Sequence, residues 1–102
     1  MADRRTERKL RLVREMGLTH AEFMRSLPSA TDGLTFSHDA GHIRIDAPSG
    51  KVEIELGPQR VRRVGSLVLP TMSVTLRFSG FTKRQMDAFM ERFDLHFHRG
   101  GG

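Results

Sequence analysis

The chain has 102 residues and a mass of 11.6 kDa, enough for one domain that buries about two-thirds of its extended surface without staples. Apolar residues make up 37% and charged residues 28%, as in an ordinary globule, and the absence of cysteine removes disulfides, thiolate nucleophiles, iron–sulfur clusters and cysteine-type zinc sites together. No apolar run approaches the roughly 20 residues that span a bilayer, and the first nine residues, MADRRTERK, are too charged to lead into a secretory signal, so a small, soluble, cytoplasmic protein is expected.

From Arg4 to Met16, Leu10, Val13 and Met16 recur at three-residue spacing among arginines. That spacing predicts a narrow amphipathic helix ended by Gly17, so residues 1–17 read as a basic helical arm. Thr19 with Glu22 then forms a capping box, and Leu18 can staple onto Phe23. The short helix that follows passes Met24 and Leu27 and is expected to stop at Pro28, since a residue before proline is steered away from the α region.

Ser29–Gly33 has loop composition, Leu34–Ser37 reads as a short strand, and His38–Gly41 reads as a turn. The period then becomes two. Ile43, Ile45 and Ala47 share one face of His42–Ala47, and Val52, Ile54 and Leu56 share one face of Lys51–Leu56. If Ala47 lies opposite Gly50, Asp46 meets Lys51, Arg44 meets Glu53, and Ile45 meets Val52. Outward pairs are then opposite in charge and inward pairs apolar, each worth about 0.2–1 kcal/mol. A slip by one residue would set isoleucine against glutamate.

Gly57-Pro58 breaks the chain before Arg60–Leu69. Arg62 and Arg63 cannot both leave the same side of a pleat, which predicts a bulge, absorbed at Gly65, with Leu67 and Leu69 facing the core. Beyond Pro70, Thr71–Phe78 places Met72, Val74, Leu76 and Phe78 on one side and Thr71, Ser73, Thr75 and Arg77 on the other. A second capping box, Thr82 with Gln85, opens a helix whose stripe is Met86, Phe89, Met90, Phe93 and Phe97. Gly100 caps it, and residues 100–102 read as a flexible end.

The elements predict an α+β two-layer sandwich: an antiparallel sheet of about four to five strands, one face covered by a C-terminal helix, with a short N-terminal helix and a basic arm. The domain proper is expected to run from residue 18 to 99.

The net charge of +5 is unevenly spread, and that spread supplies the first candidate site. Residues 1–17 carry six Lys/Arg against three acids, residues 18–58 carry three against six, and residues 59–84 carry six with no acid. Such a bias points to an anionic partner. Arg60, Arg62, Arg63, Arg77, Lys83 and Arg84 are expected to converge at one end of the sheet, where nucleic acid or phosphate would be held by charge and by a helix N-terminus. The bland alternative is a solvated or partner-facing charge cluster. It is favoured by the absence of Tyr and Trp, since only Phe36 lies outside a core stripe or staple and no stacking platform remains. Histidines are the second candidate: His38, His42, His96 and His98 beside carboxylates are potential metal ligands. Positions 96 and 98 lie about 200° apart round a helix, so surface histidines are the better reading.

No nucleophile elbow, phosphate loop or paired-acid arrangement is visible, and no cofactor is implied. The leading expectation is therefore a non-enzymatic accessory domain of bacterial type that docks on a partner protein or on itself. Leu10, Val13 and Met16 of the arm would be its anchors. Nucleic-acid binding is the alternative.

Overall fold

Alternating apolar side chains become one antiparallel sheet in the computed structural model, which describes residues 9–100 and the side chains of residues 10–97. In chain order the elements are β1 (Lys9–Met16), α1 (His20–Ala30), β2 (Phe36–Asp39), β3 (His42–Ala47), β4 (Gly50–Leu56), β5 (Arg60–Val64), β6 (Leu67–Ser79) and α2 (Lys83–Gly100). The sheet order is β1-β6-β4-β3-β2, and β5 pairs with the first part of β6. Both helices contribute to the one core cluster on the inner face, completing a two-layer α+β fold.

The β3–β4 register is the expected one. Ala47 faces Gly50, Asp46 faces Lys51 and Arg44 faces Glu53, with an Arg44–Glu53 ion pair at 3.4 Å. Gly50 is required by packing: a Cβ there would run into the carbonyl oxygen of Ser79. In β6, Met72, Val74, Leu76 and Phe78 are buried. They meet Met86, Met90, Phe93 and Phe97 of α2 across the core. Phe78, Phe89, Phe93, Phe97 and Phe23 form a chain of ring contacts with centroids 4.6–6.2 Å apart, and such pairs each add about 0.5–1.5 kcal/mol beyond area burial. Both capping boxes are formed. Glu22 and Gln85 accept from the Thr19 and Thr82 backbone N–H groups, and the threonine hydroxyls accept in return.

Four expectations are corrected. The arm is not a helix over residues 9–16: it is β1, paired with β6 from Lys9–Ser79 to Met16–Met72. Leu10, Leu12, Arg14 and Met16 alternate onto the inner face, and the open edge of β6 overrides the weak three-residue stripe. Helix α1 does not stop before Pro28 but runs to Ala30, because Leu27 and Ala30 are buried and Thr31 closes the last turn on Leu27. The second strand is Phe36–Asp39, two residues later than expected, and its turn is Ala40-Gly41.

The fourth correction concerns residues 57–70. Leu56 faces Val74 and Arg60 faces Thr71, so four steps along β4–β5 answer three along β6. The extra residue is a bulge at residues 57–59, not at Gly65. His20 fastens it, with its ring Nε2 2.7 Å from the Gly57 carbonyl and its backbone N–H donating to the Gln59 side chain. Gly65-Ser66 is instead a two-residue hairpin turn between Val64 and Leu67, with φ +63° at Gly65. Pro70 does not separate two strands, since β6 runs through it. Leu67 and Leu69 do not face the core: they are 59% and 43% exposed.

Candidate interaction surfaces

Each strand of the β5–β6 hairpin carries wet side chains on both faces. Paired residues of an antiparallel ladder share a face. Arg60, Arg62, Val64, Leu67, Leu69 and Thr71 therefore continue the open face of the sheet, while Val61, Arg63, Val68 and Pro70 continue the inner one. Every residue from Arg60 to Leu69 is exposed. Five of the seven large apolar side chains that stand exposed among the described residues are Val61, Val64, Leu67, Val68 and Leu69. A single hairpin is marginal in water, and the molecule is long for its size, at 54 × 25 × 25 Å.

At the base of the hairpin, Glu15 of β1 accepts hydrogen bonds from Thr71 Oγ1 and Ser73 Oγ, each at 3.0 Å. Arg60 lies 3.7 Å away. The two hydroxyl donors, with smaller help from Arg60 and Arg62, hold the Glu15 carboxyl below the usual carboxylate range. On the inner side, Arg14 forms a two-pronged pair with Asp94 of α2, at 3.2 and 2.9 Å, and the Asp94 hydrogen bond raises the Arg14 pKa. Glu15 and Arg14 thus fasten β1 to the sheet and to the helix. Neither role is visible without knowing that residues 9–16 are a strand.

The six expected anion-binding cations do not converge. Arg60, Arg62 and Arg63 lie on the hairpin, whereas Arg77, Lys83 and Arg84 lie at the far end of β6. At about 3.3 Å per residue, Arg77 stands about 20 Å along β6 from Thr71, the partner of Arg60, and Lys83 and Arg84 follow beyond Ser79. Arg77 pairs with Glu55, Lys83 with Asp87 and Arg60 with Glu15. Among the described residues, no ion pair is formed by Arg62, Arg63 or Arg84.

The arm residues divide. Leu10 and Met16 pack against the core, and only Val13 turns outward. His38 and His42 fall on opposite faces of the β2–β3 hairpin, since His38 pairs with Ile43 and His42 with Asp39. His96 sits on α2, its ring edge-on to Phe97, and the side chain of His98 lies outside the described residues, as do Gly101 and Gly102. Among the described residues, no group of three or more His, Cys, Asp or Glu is placed to hold a metal ion, and no helix is long and apolar enough to cross a membrane.

No protein family, curated protein or solved structure matches this chain.

Proposed function

We propose that the chain is a protein-contact domain and that the β5–β6 hairpin is its contact element. The observation that carries this reading is the concentration of exposed apolar side chains on Val61, Val64, Leu67, Val68 and Leu69, interleaved with Arg60, Arg62 and Arg63. Among the described residues, the remaining large apolar side chains, apart from Val13 and Leu95, are buried or half-buried. Exposed apolar side chains gathered on one element among charged ones mark interaction sites, and arginine is enriched at protein interfaces. The role first expected of a detachable arm passes to the hairpin, because the arm's anchors Leu10 and Met16 are spent on the chain's own core.

Site-specific photocrosslinking tests the reading. A photoreactive residue at Leu69, introduced in the native host cell, is expected to yield a discrete protein adduct that the same residue at Thr75 on the open sheet face does not. Equal labelling from both positions, or no adduct from Leu69, contradicts it. Nucleic-acid binding that falls by orders of magnitude between about 50 and 200 mM salt would replace it with the nucleic-acid reading.

A further inference from the structure

We propose that the outer edge of β5 accepts an added strand from a partner, an extended segment of mixed apolar and acidic residues. The inference rests on the contact reading above and adds its mode and its chemistry.

The hairpin has two outer edges, and the sequence treats them differently. The two-residue turn makes Val64 and Leu67 a hydrogen-bonded pair. By alternation, Arg62–Leu69 and Arg60–Thr71 are also bonded pairs, and Arg63–Val68 and Val61–Pro70 are not. On β6 the outward groups are therefore those of Val68 and Pro70. Pro70 has no N–H to offer, so that edge is blunted at no cost to the ladder with β5. On β5 the outward groups are the N–H and C=O of Val61 and Arg63, a complete set of two donors and two acceptors. Strand addition uses such an edge for affinity and alternate side chains for specificity.

Charge selects the occupant. Strand β5 carries Arg60, Arg62 and Arg63 and no acid. A second copy docked antiparallel on the same edge about Arg62 would set Arg62 against Arg62 and Val61 against Arg63. Like charges directly opposite are destabilising, so self-pairing is opposed on β5 by arginine and on β6 by proline. An antiparallel guest meets Val64, Arg63, Arg62, Val61 and Arg60 in turn, and the matching sequence is apolar, acidic, acidic, apolar, acidic. Its apolar residues extend the strips begun by Val64 and Leu67 on one face and by Val61 and Val68 on the other.

The probe is a fluorescein-labelled peptide, Gly-Ser-Val-Glu-Glu-Val-Glu-Ser-Gly, titrated with the full chain at low salt and followed by anisotropy. Saturable binding is expected, together with new hydrogen-exchange protection of the Val61 and Arg63 amides. Val61→Pro removes an outward N–H without touching the bonds to β6, and it should weaken binding at least tenfold. The pair Arg62→Glu and Arg63→Glu should do the same while leaving the backbone edge intact, which guards against a misfolded proline variant. A lysine-for-glutamate version of the peptide should not bind. Absence of binding to the intact chain, or binding indifferent to both sets of variants, overturns strand addition. Retention of the Leu69 crosslink in the Val61→Pro chain would overturn it too while leaving the contact reading in place. Tighter binding of a DNA duplex than of the peptide would overturn both.

Discussion

Ala40 holds φ +49° in the turn between β2 and β3, a region where an L side chain costs about 1–2 kcal/mol. Ala40→Gly is therefore expected to raise stability by about 1 kcal/mol in urea denaturation. Gly50 makes the opposite case. Its missing Cβ leaves room for Ser79, so Gly50→Ala should lower stability by about 1–3 kcal/mol through overpacking. Glu15 gives the chain a pH dependence with a definite sign. Its carboxyl is held low by Thr71 and Ser73, so its contribution is present above the ordinary carboxylate pKa of about 4.3 and is lost as pH falls through the lower folded value. Urea midpoints measured from about pH 6 down to about pH 3 should fall less steeply for Glu15→Gln than for the native chain.

Among the elements, β3, β4 and α2 were legible because two independent signals agreed in each. The β3–β4 register satisfied both apolar alternation and charge pairing, as the Arg44–Glu53 pair shows, and α2 had both a capping box and an aromatic stripe. Where a single weak signal stood alone, tertiary structure decided. Leu10-Arg11-Leu12-Val13 fits a period of two as well as of three, and the unpaired edge of β6 settles it as strand. Pro28 likewise yields to the burial of Leu27 and Ala30. The Arg14–Asp94 pair that fastens β1 to α2 is half-exposed, and a double-mutant cycle should find a coupling of about 0.5–1 kcal/mol, the upper end for such pairs. The core and the hairpin should respond differently to truncation. Phe93→Ala is expected to cost about 3–5 kcal/mol, whereas Leu69→Ala should stay within about 0.5 kcal/mol.

For the whole molecule, the class of fold follows from the order and period of its elements, but the location of its free surface does not. Leu67-Val68-Leu69 has the composition of a core strand. Whether such a strand is covered depends on how the helices pack, and here β5 and residues 67–69 are left exposed. One sequence clue did point outward: consecutive Arg62 and Arg63 must emerge on opposite faces of a strand, which requires both faces to be wet. The cationic cluster failed as a unit because β6 is 13 residues long and carries its two halves to opposite ends. What remains is a folded body with a charged, apolar hairpin projecting from it. The most direct test replaces Val61, Val64, Leu67, Val68 and Leu69 together by serine and measures equilibrium unfolding of the body. An unfolding midpoint close to that of the native chain is the expected result. Loss of cooperative folding would show that these five residues belong to the core and would contradict the account.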